Sequence, residues 1–177
     1  RPTSDVVLEP GNWSLDNFGE TLIATITNGK SFTWDAGASN PRTNRATLMT
    51  GAPTATGLTI VSETDRHLFH LGTETTIGSV GTQDPMFIRF SDQESTSVYT
   101  PTSTNTAGTF QLDKGNKIVA AVQGKDYILI LTDQAAYVAQ FVGPPFTFSI
   151  RQVGTNCGCL GQHAVAFAQG AVYWMGT

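Results

Sequence analysis

Apolar residues recur at alternate positions in short runs, and each run stops at a turn residue. Alternation of this kind, enriched in β-branched and aromatic residues, predicts half-buried β-strands rather than helices. The stretches "TLIATIT" (21–27) and "SFTWDA" (31–36) flank Asn28-Gly29. They predict a hairpin, because Asn-Gly supplies the positive φ that a type I′ turn requires. In "TGLTIVSETDRHLFHLGTE" (56–74), Leu58 and Ile60 alternate, "RHLFHLG" alternates again beyond Thr64-Asp65, and "PMFIRFS" (85–91) adds a further strand. "NKIVAAVQG", "DYILILTD" and "AAYVAQFVG" predict an up-and-down meander with turns at Gly124-Lys125 and Asp133-Gln134. "QHAVAFAQGAVYWMG" (162–176) predicts a last hairpin about Gln169-Gly170.

The strands beginning at Leu22, His67, Ile118 and Ala164 are equivalent in this pattern, and their spacings are 45, 51 and 46 residues. Propeller blades recur at about 40–50 residues with four strands each. The period therefore predicts an all-β, β-propeller-like fold of up-and-down antiparallel blades, with a double-sheet sandwich as the alternative. Residues 1–177 read as a single β-rich domain. The chain opens at Arg1 without Met and stops at "AVYWMGT" directly after an apolar strand. The four repeats predict either a small closed propeller or an incomplete ring, and the ends favour the second, in a fragment of a larger propeller-containing protein.

Composition narrows the partners. Hydrophobic residues make up 40% and charged residues 14%, which excludes a self-repelling disordered chain. A net charge of −4 and the lack of any Lys/Arg run argue against gripping a nucleic acid through its phosphates. No apolar run approaches the roughly 18 residues of a membrane-spanning helix. Cys157 and Cys159 are one residue apart. In an extended segment they share a face but lie too far along it for easy bridging, so no disulfide framework is expected.

Candidate chemistry is sparse. Asp92 and Glu94, with Asp84 nearby, are of the residue type that serves glycosidases or hard cations, but Ser95, Thr96 and Ser97 follow where further acids would be needed. The preferred reading is a strand corner whose side-chain oxygens cap free amides. "SLDNFGETL" (14–22) approaches the Asp-box loop of sialidase-like propellers, with an extra residue before Gly19 and Leu22 in place of the aromatic. The plainer reading is a turn capped by Asp16 over Trp13 and Phe18. His67 and His70 have odd spacing and so point to opposite faces of a strand, which prevents joint chelation. Cys157, Cys159 and His163 form a low-specificity metal pattern lacking a fourth ligand, and small packed thiols are the favoured reading. Nucleophile elbows, phosphate loops and dinucleotide fingerprints are absent. The sequence thus predicts no catalytic residue, no metal, no cofactor and no enzyme.

Five phrases taken in order, "WSLDNFGE" (13–20), "FIRFSDQE" (87–94), "YTPTSTNTAG" (99–108), "FVGPPFTFSIRQVGTNCG" (141–158) and "VYWMG" (172–176), resemble virion structural proteins of tailed bacteriophages. The related proteins are those of the tail nozzle and of head-to-tail stabilisation. The resemblance implies a homo-oligomeric, propeller-containing subunit in a ring at the phage neck or tail, located in the virion. Such a ring continues the DNA channel, helps retain packaged DNA, lets DNA pass at ejection without specific binding, and contacts identical subunits and other tail or adaptor proteins. A propeller-type glycan-binding or glycan-cleaving tail protein is the alternative. The expected subunit interface comprises the polar loop at Tyr99 and Thr100 and the segment Pro144, Pro145, Phe146 and Phe148. Proline cannot donate ladder hydrogen bonds, so the pair marks a rigid, non-strand presentation of the phenylalanines. The competing reading places at least one phenylalanine in the chain's own core.

Overall fold

Strand β6 (His67–Thr73) is buried at every position, because packed side chains cover both of its faces. It is the second strand of a sheet ordered β5-β6-β7-β8, with β5 (Thr56–Ser62), β7 (Phe87–Phe90) and β8 (Gly108–Gln111). The computed structural model describes residues 11–38, 40 and 42–177. The first sheet runs β1 (Trp13–Phe18), β2 (Thr21–Ile26), β3 (Ser31–Asp35) and β4 (Thr47–Leu48). The third contains β9 (Ile118–Gln123), β10 (Ile128–Thr132), β11 (Ala135–Gly143) and β12 (Thr147–Thr155). The last has only β13 (Val165–Ala168) and β14 (Ala171–Trp174). All named pairings are antiparallel, and strand order within each sheet follows the chain.

Each sheet meets the next through one apolar cluster. Phe18 and Ile23 of the first sheet pack with Val61 and Leu68 of the second. The opposite face of the second sheet, with Phe69, Ile88 and Phe90, meets Ile128, Ile130 and Phe148 of the third. On the third sheet's other face, Leu129, Leu131 and Ala136 pack against Val165, Val172 and Trp174. Parity explains the arrangement: consecutive residues of β10 serve two different cores.

The propeller expectation is corrected by this architecture. The sheets are four separate, small antiparallel units, and none closes into a barrel or curls into a propeller blade. The spacing of 45–51 residues records how much chain a four-strand meander consumes. It does not encode how sheets twist or whether they close. The meander of β9, β10 and β11 forms with the expected turns, while four strands, β1, β4, β8 and β12, have no counterpart in the expected set. The sequence of β1 predicts a capped turn, and β12 follows directly on the Pro144-Pro145 connection.

The Asn28-Gly29 turn also differs from its expectation. Asn28 has φ of 56°, but Gly29 is not in the positive-φ region that a type I′ turn needs at both positions. Tertiary bonds override the local preference. Asn28 N–H donates to the Thr56 carbonyl at 2.8 Å and Thr56 N–H to the Gly29 carbonyl at 3.1 Å, which stitches the hairpin to β5.

Candidate interaction surface

The acidic corner after β7 is built for restraint. Asp92 Oδ1 accepts from the Thr106 N–H at 2.8 Å and the Thr106 hydroxyl at 2.7 Å, tying the two ends of the polar loop together. These bonds hold its carboxyl below the usual range. Glu94, at φ 55°, takes both its oxygens to Arg66 Nε at 3.2 and 3.1 Å. Asp84 accepts from Met86 N–H and Gln111. The three carboxylates therefore serve separate structural tasks instead of facing one another.

Inside the loop, Tyr99 is buried against His70. Its hydroxyl donates to the Thr96 carbonyl at 3.0 Å, and burial raises its pKa. Tyr99 thus packs within the chain, while its neighbour Thr100 is exposed. Arg89 fastens the loop from beneath: its guanidinium donates to the carbonyls of Tyr99, Glu74 and Thr75 at 3.2, 3.3 and 2.8 Å. The buried Glu74 carboxylate accepts from the Thr54 hydroxyl and the Gly78 N–H. His70 lies in the same layer, its Nδ1 at 3.1 Å from the Thr56 hydroxyl. Desolvation, assisted by the Arg89 charge, lowers its pKa to about 3. The cluster is buried, and its bonds run to backbone groups and to threonine hydroxyls, with Arg89 Nε and His70 Nε2 left without a partner among the described residues, which is the chemistry of a fastening.

His67 and His70 do face opposite ways, but both are buried. His67 sits edge-on to Phe90 and Phe148, with Nε2 at 3.1 Å from the Thr106 hydroxyl. Asp16 belongs to a strand rather than to a turn. It accepts from the Val61 N–H at 2.7 Å and joins β1 to β5, while Trp13 is left 46% exposed. Cys157 and Cys159 are free thiols, the second buried, and His163 is exposed. Among the described residues, no three His, Cys, Asp or Glu side chains gather where they could hold a metal ion.

The Pro144–Phe148 segment divides in two. Phe148 is 8% exposed and lies among Phe69, Phe90 and Phe141, with ring centroids 4.8–5.5 Å away. Phe146, two residues earlier, is 79% exposed at the tip of the β11–β12 hairpin, beside exposed Pro144, Pro145 and Val142. Thr147 between them has φ of 56°. A β-branched residue in that left-handed region is strained by about 1–2 kcal/mol. The same geometry sends one phenylalanine inward and the other into solvent. A second exposed apolar patch, which the sequence reading missed, lies on the outer side of the last hairpin. Tyr173 and Met175 are 61% and 63% exposed there, and Leu160, whose N–H donates to the Met175 carbonyl, is similarly open. The signal was present in "AVYWM", where aromatic and apolar side chains occupy both parities.

No family model and no curated protein matches the chain. The resemblance to phage virion proteins thus gains no relative, and the separate sheets remove the propeller on which its implied role depended. The expected function is corrected accordingly. Nothing ties the chain to a tail, nozzle or head-to-tail connector ring, a DNA channel, DNA retention or ejection, or to glycan binding or cleavage. Among the described residues, no helix is long and apolar enough to cross a membrane.

Proposed function

We propose that this chain is a non-catalytic assembly module in which the β11–β12 tip of one copy docks on the outer face of the last hairpin of another. The exposure of Phe146 on a proline-bearing tip is the observation that carries the reading. Large exposed aromatics on stiff loops act as anchors, because little side-chain and backbone freedom remains to be lost on contact. The receiving face is on the same molecule: Tyr173, Met175 and Leu160 are exposed, apolar and uncharged. Joining the two patches desolvates no ion. A knob and a receiving face at different places on one chain make the contact head-to-tail. Pro144 and Pro145 brace the tip, and Thr100 lies outside the contact, on the polar loop that Asp92 and Arg89 already tether.

The non-catalytic part of the reading is supported by the fate of the acids. Asp92, Glu94 and Glu74 are each committed to a separate donor. Hydrogen–deuterium exchange at rising protein concentration tests the contact. Amides at Val142–Phe146 and at Ala171–Met175 should gain protection together. Protection of neither segment, or of a different one, overturns the proposal.

A further inference from the structure

The polar loop between β7 and β8 is fastened at two levels. At its base, the Thr106 hydroxyl donates to Asp92 Oδ1 and accepts from the Gln93 N–H at 2.9 Å. His67 Nε2, 3.1 Å away, meets the remaining lone pair of that hydroxyl, so the neutral ring carries its proton on Nε2. Farther out, Tyr99 is the one loop residue that enters an apolar cluster. The Asp92 N–H closes this outer part by donating to the Val98 carbonyl at 2.8 Å.

Tyr99 covers an imidazole with one nitrogen unused. His70 is fully buried, and the Tyr99 ring stands edge-on to it with centroids 4.9 Å apart. Its Nδ1 is engaged by the Thr56 hydroxyl, whereas its Nε2 has no hydrogen-bond partner among the described residues. A neutral ring needs a donor's partner at only one nitrogen. An imidazolium donates from both, and a buried charged donor without an acceptor is far costlier than a neutral one.

The surrounding charges sharpen the contrast between the two levels. Arg89 of β7 faces His70 with like charge. The Glu74 carboxylate, which bears on Arg89, is engaged by the Thr54 hydroxyl and the Gly78 N–H. The groups that face His67 are instead acidic, Asp65 of the β5–β6 turn and Asp92 and Glu94 of the loop. A proton gained at the base adds attraction, and a proton gained under Tyr99 adds repulsion.

We propose that residues 95–105 form an acid-released lid: protonation of His70 turns Tyr99 outward and admits water to Nε2, while the Asp92–Thr106–His67 base holds the two ends of the loop. Opening uncovers Tyr99 and the cluster it shares with Met49, Val61 and Leu68. The second sheet survives, because β7 and β8 keep their ladders and the core shared with the third sheet contains no residue of the loop. The closed lid holds His70 at about 3 against 6.5 for an exposed imidazole. Each pH unit below the upper value therefore favours the open form by up to about tenfold. Asp92 stays ionised through most of that range, since its bonds to Thr106 hold it below the ordinary carboxylate value. The lid involves neither Phe146 nor Tyr173, so it stands or falls independently of the head-to-tail contact.

Three amides report the three parts. The Asp92 N–H reports the lid, the Thr106 N–H, bonded to Asp92 Oδ1, reports the base, and the Ser91 N–H, bonded to the Leu68 carbonyl, reports the sheet. Their hydrogen exchange is followed by NMR near pH 7 and near pH 4.5, each rate taken relative to an unstructured chain at the same pH. Asp92 protection should fall by roughly tenfold or more while Thr106 and Ser91 keep theirs. In His70→Gln, which has no ring to protonate, the Asp92 amide should change by less than about twofold. Tyr99→Ala, which lacks the lid's anchor, should return the ring-proton titration of His70 to about 6.5. Unchanged Asp92 protection in the wild-type chain overturns the proposal, and so does a loss that extends to Thr106 or Ser91. An undiminished response in folded His70→Gln overturns it as well, as does a His70 that still titrates near 3 in folded Tyr99→Ala. Should either variant fail to fold, the wild-type pattern at the three amides decides.

Discussion

Asp92 and His70 show how individual ionisable groups are used for restraint. Removing the Asp92 acceptor in Asp92→Ala frees both donors of Thr106 and should cost about 1–2 kcal/mol of stability, measured by urea unfolding. Because its folded pKa is depressed, this contribution is present above the unfolded value near 3.9 and is lost as pH falls through the lower folded one. His70 has the same sign through a different cause. The unfolded chain binds a proton below pH 6.5, whereas the buried imidazole refuses it until about 3. Stability should therefore fall by up to about 1.4 kcal/mol per pH unit between those limits. Urea midpoints at pH 7 and pH 5 measure the slope. His67 is shifted in the same direction by burial and adds to it, so His70→Phe should flatten the slope without abolishing it. An unchanged slope in His70→Phe would place the acid sensitivity elsewhere.

At the scale of elements, two phenylalanines separated by Thr147 give opposite expectations. Phe148→Ala opens a cavity between the second and third sheets and should cost about 3–5 kcal/mol. Phe146→Ala, at an exposed tip, should change stability by less than about 0.5 kcal/mol. Thermal or urea unfolding of the two variants separates these effects directly. The sequence carried the strands whose alternation is strong, such as β5, β6 and β9–β11, because burial on one or both faces leaves a pattern of period two. β12 was harder to see, since its solvent side, Ser149, Arg151 and Val153, mixes polar and apolar residues. The β1 segment resembled a turn because Asp16 and Asn17 are turn formers. Its Asp16 instead accepts from β5, 45 residues away, a bond no local pattern displays. The inward or outward choice at Phe146 and Phe148 was also hidden. It depends on the positive φ of Thr147, which β-branched residues rarely adopt.

At the scale of the whole molecule, the regular spacing of meanders was legible but their assembly was not. Three interfaces stack the sheets in chain order, and closure would require twist and tilt that strand spacing leaves free. Exposed apolar side chains also occur elsewhere, at Leu15 and Val80 among others, but the head-to-tail contact is placed between the Phe146 tip and the Tyr173 face. Sedimentation velocity on the wild-type chain, Phe146→Ser and Tyr173→Ser tests that contact most directly. The wild-type chain should associate increasingly with concentration. Each variant, with an unchanged urea midpoint, should remain a monomer under the same conditions. A wild-type chain that stays monomeric up to about 100 µM, or variants that associate as the wild type does, would contradict the account.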